Sequence, residues 1–269
     1  MLLNVVWDVS PEIFTVAGFS VRWYGLLFAL SFFLGYLVML KIFMREQVPV
    51  KLLDELTTWM IVGTVVGARL GHVFFYEPEW YLAHPVKIFK VWEGGLASHG
   101  AGIGIVLALI IFSRLRNKPF LWVIDRIVIT VALAGFLIRM GNLMNSEIYG
   151  NPTNLPWGFL FVRSTTPADG LVPRHPTQIY EGLSYLLIFI LLWWLYCRKK
   201  GQPAPGLLFG LFLVLVFGMR FVIEFIKEPQ VGFEQGMALN MGQLLSVPFV
   251  LAGIYFIFRA QRASMSGKT

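Results

Sequence analysis

The chain has 269 residues, of which 57% are hydrophobic and only 14% are charged, whereas soluble proteins carry roughly 25% charged residues. With a mean hydropathy of +0.69, this composition excludes a soluble globular domain and indicates a membrane protein. The net charge of +7 comes from short, scattered basic groups, which argues against a nucleic-acid surface. The single cysteine, Cys197, excludes an intrachain disulfide and a cysteine metal cluster. No positive segment precedes the first apolar run, so we expect no cleavable signal peptide.

Apolar runs long enough to cross a bilayer occur along the whole chain. The one long connection, 145–178, is rich in Pro, Gly, Asn and Thr and too polar to cross. We therefore predict an all-α polytopic membrane protein, with 1–269 as a single integral membrane domain and 145–178 as a small extramembrane head. The predicted spans are 21–43, 56–76, 95–115, 120–144, 179–197, 206–227 and 239–258.

Basic residues are unequally divided between the two ends of these spans, and cytoplasmic loops are enriched in Lys and Arg. The distribution places the N-terminus outside and the C-terminus in the cytoplasm. The richer side holds Lys41, Arg45, Lys51, Arg114, Arg116, Lys118, Arg198, Lys199, Lys200, Arg259, Arg262 and Lys268. The poorer side holds Lys87, Lys90, Arg163, Arg174 and Lys227.

Several charged and polar residues fall within or at the edges of the predicted spans, where an unpaired charge costs about 2.5–3.5 kcal/mol or more. Most of them gather in the outer half of the membrane, which predicts a one-sided polar cavity. Arg126, beside Asp125 at an inner span end, is the exception. The outer group comprises Tyr24, Arg69, His72, His99, Arg139, Asn142, Gln178, Tyr180, Glu181, Arg220, Glu224, Asn240 and Gln243.

A one-sided cavity suits lipid chemistry better than a transport pathway, which needs polar groups through both leaflets. Arginine stays charged and its planar fork matches phosphate oxygens. Arg139 and Arg220, with Arg69 as a candidate third, outnumber the nearby acid Glu224. The cavity is therefore predicted to bind a phospholipid headgroup.

Glycines recur every four residues in the second and third spans. Gly63, Gly67 and Gly71 lie in one, and Gly100 and Gly104 in the other. This spacing is typical of close helix packing in membranes, and a movable helix contact is the alternative.

The run Arg139-Met-Gly-Asn142-Leu-Met-Asn145-Ser-Glu147-Ile-Tyr-Gly150 resembles the signature R-x-G-N-x-x-N-x-E-x-x-G of the prolipoprotein diacylglyceryl transferases. Further blocks agree in order and extend the resemblance over nearly the whole chain. Ala101 departs from the second glycine that often follows His-Gly in the family, which bears on local packing only. The blocks are Val-Arg-Trp-Tyr24-Gly, Glu93-Gly-Gly-Leu-Ala-Ser-His99-Gly, Arg174-His175-Pro-Thr-Gln178-Ile-Tyr-Glu181, Gly218-Met-Arg220-Phe-Val-Ile-Glu224 and Met241-Gly-Gln243-Leu-Leu-Ser-Val-Pro.

The resemblance implies a multi-pass enzyme of the bacterial inner membrane with its active site toward the periplasm. It would move the diacylglyceryl group of phosphatidylglycerol onto the thiol of the lipobox cysteine in a prolipoprotein signal peptide. The products would be a thioether and glycerol 1-phosphate, in the first step of lipoprotein maturation. We expect no metal or cofactor and no nucleic-acid partner. A lipid or small-anion transporter and a non-catalytic membrane scaffold are the alternatives.

The site residues fall into two groups. Arg139 and Arg220 are predicted to stabilise the departing phosphate. His99 is predicted to act as the base that deprotonates the thiol. The alternative is that His99 only forms a hydrogen bond to a headgroup or to the backbone. Glu224 is predicted to orient Arg220, unless the two form a purely structural bridge. The substrate-binding candidates are Tyr24, Asn142, Asn145, Glu147, Gly150, Glu224, His175 and Gln178.

Overall fold

A computed structural model describes residues 4–16, 18–164, 171–228 and 239–266. Within them, seven helices are long and apolar enough to cross a membrane, which confirms the predicted number. A short helix, α3, and two 3-10 turns, Pro85–Phe89 and Val91–Glu93, lie between the second and third of these. The helices are α1 Trp23–Arg45, α2 Val50–Phe75, α3 Pro78–Ala83, α4 Ser98–Leu115, α5 Phe120–Met144, α6 Thr177–Arg198, α7 Leu207–Ile223 and α8 Met241–Ser266.

The helix bounds differ from the predicted spans where charge or glycine interrupts the apolar run. Helix α2 starts six residues before the predicted 56, directly after Pro49, because a helix continues through charged residues that a hydropathy window rejects. Helix α4 starts at Ser98 rather than 95. Gly94 and Gly95 have φ of 91° and 69°, which a right-handed helix does not admit.

Among the described residues, four short strands accompany the helices, and the sequence did not predict them. Strand β1, Val5–Trp7, pairs in parallel with β4, Phe159–Phe161, while β2, Glu12–Val16, and β3, Phe19–Arg22, form an antiparallel pair. The β1–β4 pair joins the N-terminal segment to the predicted head. Of that head, residues 165–170 lie outside the described part of the chain.

The chain divides into two compact units, 39–124 and the combination of 1–38 with 125–269. In the unit 39–124, α2 and α4 pack through their glycines. A Cβ atom at Gly63 would lie 2.7 Å from the Gly104 carbonyl oxygen, and one at Gly71 would lie 2.6 Å from the Gly100 Cα atom. The glycine spacing therefore serves close packing, as predicted.

The other unit contains a buried capping site that explains the inner polar pair. The carboxylate of Asp125 is fully buried and accepts hydrogen bonds from the backbone N–H of Gly206 at 2.7 Å and of Phe209 at 2.8 Å. These donors lie at the start of α7, where helical N–H groups lack partners. Arg126 donates to the Gly201 carbonyl at 3.3 Å. The pair Asp125 and Arg126 thus anchors the connection between α6 and α7.

Candidate functional site

Arg139, in the last turns of α5, is the centre of a buried polar cluster. Its guanidinium forms an ion pair with Glu181 of α6, whose side chain is only 2% exposed. It also donates to the Asn142 side-chain oxygen at 3.1 Å. Residues three apart lie on one face of a helix, so Asn142 meets the guanidinium without distortion. Arg139 is therefore held in a fixed orientation from two sides.

The segment after α5 turns back onto that helix and brings Glu147 into the cluster. Ser146 and Ile148 have φ of 53° and 60°, so the backbone reverses around Glu147. Its Oε1 accepts from the side-chain amides of Asn142 at 2.8 Å and Asn145 at 3.1 Å. Glu147 is thus a half-buried, amide-bound carboxylate, and these signature residues form one hydrogen-bonded group.

Gly150 lies where three segments meet, and its backbone leaves no room for a side chain. A Cβ atom there would lie 2.5 Å from the Ile226 carbonyl oxygen and 2.8 Å from the His175 Cβ atom. Its N–H donates to the His175 carbonyl at 2.8 Å. Beside it, buried Gln178 donates to the Glu147 carbonyl at 2.7 Å. Gly150 and Gln178 therefore fix the loop that carries Glu147.

Lys227 is a member of the cluster that the sequence did not identify. Its side chain is 5% exposed, and its Nζ lies 3.1 Å from Glu181 Oε1 and 3.7 Å from Glu224 Oε2. The sequence analysis counted Lys227 only toward the charge of the poorer side, whereas its side chain bridges two buried acids. Its i,i+3 spacing from Glu224 was the available signal.

Arg220 differs from the other cations of this unit. The predicted ion pair with Glu224 is not formed, since the Glu224 carboxylate turns to Lys227 and occupies the space left by Gly242. Within the described part of the chain, Arg220 has neither an ion pair nor a hydrogen bond. It shares the electrostatic surroundings of Tyr185 with Arg139. The Tyr185 ring packs on Gly135, where a Cβ atom would lie 2.7 Å from it.

The charge balance of the cluster corrects the predicted arginine excess. Among the described residues, Glu181 and Glu224 neutralise Arg139 and Lys227 through the ion pairs above. The predicted excess counted Glu224 alone and omitted Glu181. These ion pairs leave Arg220 without a carboxylate partner in the described part of the chain, and they leave Glu147 bound by the amides of Asn142 and Asn145.

Tyr24, at the start of α1, joins the same group. Its ring packs against the backbone of α5 at Gly141, where a Cβ atom would lie 2.8 Å from ring atom Cδ2. Tyr24 interacts electrostatically with both Glu147 and Arg139. The phenol therefore lies beside the signature residues, and Tyr24 is more than an aromatic residue of the membrane interface.

His175 precedes α6 at the edge of the same unit. Burial lowers the pKa of this imidazole below its usual value, because desolvation disfavours the charged form. Its Nδ1 lies 3.4 Å from the Tyr180 hydroxyl, which accepts a hydrogen bond from Trp157 Nε1 at 2.9 Å. His175 is thus set in a small polar and aromatic group.

Three candidate residues belong to the unit 39–124. His99 is exposed in the first turn of α4. His72 stacks on Tyr76 with ring centroids 5.5 Å apart, and its Nε2 lies 3.7 Å from the Glu77 carboxylate. These contacts support a structural role for His72.

Arg69, the third residue, is not available to a phosphate. It is 3% exposed, and its guanidinium donates to backbone carbonyls between Lys87 and Gly95. The expectation that Arg69 adds to a headgroup site is therefore wrong. The hydrogen bonds to these carbonyls occupy the N–H donors of the guanidinium, so none is left for a phosphate.

The helices and the cluster define the class of this protein as a multi-pass helical membrane protein with a buried, charge-paired polar site. A model of the family "Prolipoprotein diacylglyceryl transferase" matches residues 11–259. The phosphatidylglycerol–prolipoprotein diacylglyceryl transferase of Tolumonas auensis is 52% identical over 249 residues, covering 92% of this chain and 94% of that relative. The enzyme of the same name from Porphyromonas gingivalis is 48% identical over 276 residues, covering 98% and 97%.

The match extends to a more distant relative. The enzyme of that name from Cereibacter sphaeroides is 36% identical over 285 residues, covering 96% of this chain and 98% of the relative. The chain belongs to the prolipoprotein diacylglyceryl transferase family. The resemblance stated from the sequence motifs is confirmed.

Proposed function

We propose that this chain transfers the sn-1,2-diacylglyceryl group of phosphatidylglycerol to the thiol of the lipobox cysteine in a prolipoprotein signal peptide. The products are a thioether-linked lipoprotein precursor and glycerol 1-phosphate. Family membership supports this reaction. The observation that carries it is Arg220, a guanidinium without a carboxylate partner among the described residues, in the unit that also holds the charge-paired cluster.

The protein lies in the bacterial inner membrane with its N-terminus outside and its C-terminus in the cytoplasm. The unequal distribution of Lys and Arg supports this orientation. The cluster then faces the periplasm, and 145–178 forms a periplasmic head. Phosphatidylglycerol reaches the site from the leaflet on that side.

The reaction needs positive charge where the phosphate leaves. The cysteine thiolate attacks the glyceryl carbon and forms a carbon–sulfur bond. The bond between that carbon and the phosphate ester oxygen breaks. The electron pair of that bond stays on the phosphate oxygen of glycerol 1-phosphate. Arg220 binds the phosphate directly, because no protein carboxylate competes for it among the described residues. Preorganised charges of this kind contribute several kcal/mol to transition-state stabilisation.

Arg139 acts from a fixed position in the same site. Glu181 and Asn142 hold its guanidinium, so it need not reorganise when the charge develops. Lys227 supports Glu181 from the other side at 3.1 Å. Arg139 therefore contributes a positive charge in a fixed orientation, while the guanidinium of Arg220 binds the phosphate directly.

His99 removes the proton of the attacking thiol. A free cysteine has a pKa near 8.5, so few thiolates exist at neutral pH without a base or a positive field. An imidazole accepts this proton because its unperturbed pKa lies near neutrality. The exposed position of His99 in α4 leaves the ring accessible to a substrate.

The remaining candidates bind and orient the substrates. Tyr24 donates to a phosphate or glycerol oxygen, and Asn142, Asn145, Glu147 and Gly150 shape the wall of the site. Glu224 keeps Lys227 in place. His175 and Gln178 line the entrance for the headgroup or the signal peptide.

A reconstituted assay tests this function. Purified protein is incubated with phosphatidylglycerol vesicles and a lipobox peptide, and the peptide is analysed by mass spectrometry while released glycerol phosphate is quantified. Thioether product with an equal amount of glycerol phosphate is expected. Cys197→Ser is the matched control and retains full activity, because the nucleophile belongs to the peptide. Lipid binding by folded protein without product would contradict the proposal and favour a transporter.

A further inference from the structure

The chain that connects α2 to α4, residues 76–97, carries a continuous exposed apolar stripe. We call these residues the connecting segment. Five of its apolar side chains are between 56% and 78% exposed. They follow one another at intervals of four, three, three and four residues along three short helical elements and the turn after them. The stripe consists of Leu82, Val86, Phe89, Trp92 and Leu96.

Short helical elements carry most of these exposed side chains. Helix α3 carries Leu82, and the 3-10 turns Pro85–Phe89 and Val91–Glu93 carry the next three members. In a 3-10 helix, residues three apart lie directly above one another. Val86 and Phe89 therefore project in the same direction, while Trp92 lies in the second turn, after Lys90.

Five backbone carbonyls of the connecting segment accept hydrogen bonds from one arginine of α2. Arg69 of α2 donates to the carbonyls of Ile88 at 2.9 Å, Gly94 at 2.5 Å, Gly95 at 3.1 Å and Lys90 at 3.2 Å, and to that of Lys87. Its guanidinium also lies 4.9 Å from the centroid of the Tyr81 ring. One buried arginine thus binds these five carbonyls, so they do not need water as a partner when the segment enters an apolar medium.

The charged side chains of the connecting segment are paired with each other. Lys87 Nζ lies 2.7 Å and Lys90 Nζ 3.5 Å from the Glu93 carboxylate. Glu77 and Glu79 add further negative charge, so the segment has no cationic surplus to attract acidic headgroups. Apolar contact, not charge, must decide what covers the stripe.

We infer that the connecting segment lies in the membrane plane, with its stripe inserted among the lipids at the boundary between headgroups and acyl chains. Both of its ends continue directly into membrane-spanning helices, at Phe75 and Ser98, so the bilayer surface is within reach of every residue. Tryptophan and phenylalanine favour that depth, and short in-plane helices bind it through buried apolar area. The inference does not depend on the transferase reaction.

Spin labels measure the depth directly. Cysteines replace Phe89 or Trp92 in a Cys197→Ser background, and the labelled protein is reconstituted into vesicles of phosphatidylethanolamine and phosphatidylglycerol. Labels at these two positions are expected to collide with oxygen, which dissolves in lipid, several-fold more than with a water-soluble nickel chelate. Lys90→Cys is the matched control, because its side chain points to Glu93, and its label shows the opposite preference.

Arg69 provides a second readout. In the Arg69→Lys background, the label at Trp92 is expected to move toward water and become more mobile, because a lysine cannot span the same carbonyls. The stripe would not be inserted if the labels at 89 and 92 met the nickel chelate as often as the label at 90 does. If Arg69→Lys fails to fold, the wild-type comparison of these positions still decides the inference.

Discussion

Arg69 and Arg220 both lie in apolar membrane-spanning helices, yet their surroundings differ completely. Arg69 is enclosed by backbone carbonyls from the connecting segment. Arg220 has no ion pair or hydrogen bond in the part of the chain that the structure describes, although it lies one helical turn from Glu224. A charge within a membrane needs a partner or an aqueous or ligand-filled surrounding. The first arginine has used its donors for folding, and the second retains them for a ligand.

Arg139 stands between these extremes. It is paired with Glu181 and hydrogen-bonded to Asn142, so it contributes both to the fold and to the field of the site. The partners of a buried arginine therefore separate structural from functional roles better than its position in a span. The following variants test that separation.

Arg139→Ala should give the largest effect, on turnover and stability together. Removing one oriented donor of a transition-state charge costs about 10²–10³-fold in rate. Breaking a buried ion pair costs roughly 3–5 kcal/mol, and the lower end applies because Lys227 still contacts Glu181. Transfer assays measure the turnover, and thermal unfolding in detergent measures the stability. Unchanged stability would show that the pair with Glu181 is not structurally important.

His99→Gln should lower turnover by about 10²-fold, the usual contribution of a general base. Glutamine keeps a hydrogen-bonding side chain but cannot take up the thiol proton. The remaining rate should rise with pH through the range where the peptide thiol itself ionises. A pH–rate profile for both proteins measures this. Identical profiles would place the base elsewhere.

Arg69→Lys should reduce stability while sparing chemistry. Lysine offers three donors and arginine five, so backbone carbonyls of the connecting segment lose their partners at a cost of about 3 kcal/mol. The melting temperature falls, and the turnover per folded molecule stays within a few-fold of the parent. A selective loss of turnover at unchanged melting temperature would contradict the structural role of Arg69.

His175→Asn should produce the smallest effect, visible in the pH dependence of stability. Burial holds the pKa of His175 below its unfolded value near 6.5, so the unfolded chain binds the proton first as the pH falls. Stability from the neutral ring is present above about pH 6.5 and declines below it. Melting temperatures at pH 7 and pH 5 should therefore differ less in His175→Asn than in the parent. An equal difference in both proteins would show that His175 does not contribute to the pH dependence of stability.

The sequence predicted the features that depend on local composition. Seven apolar runs and the glycine contacts between α2 and α4 follow from hydropathy and residue size. These features need only the period of a helix and the size of a side chain. The resemblance marked Asn142 and Glu147 as site residues, but their contact depends on the backbone reversal at Ser146 and Ile148.

The sequence did not predict which charges pair. Lys227 entered the sequence analysis only as one charge of the poorer side, but its Nζ lies between Glu181 and Glu224. Arg69 was a candidate headgroup ligand, but its guanidinium is bound to carbonyls of the connecting segment. Ion pairs and carbonyl contacts depend on how distant segments fold back. The strand pair β1–β4 was missed for a similar reason, because three-residue strands leave no periodic pattern.

The central claim is that Arg220 binds the phosphate of the lipid. The most direct test is to measure turnover and melting temperature of Arg220→Ala and of Arg220→Lys, each on a single preparation. If Arg220 is the open fork that receives the lipid phosphate, transfer falls by about 10²-fold or more while the melting temperature is unchanged. Lysine restores only part of the rate, because it lacks the planar fork. Near-normal transfer by Arg220→Ala, or a fall in melting temperature as large as that of Arg139→Ala, would contradict it.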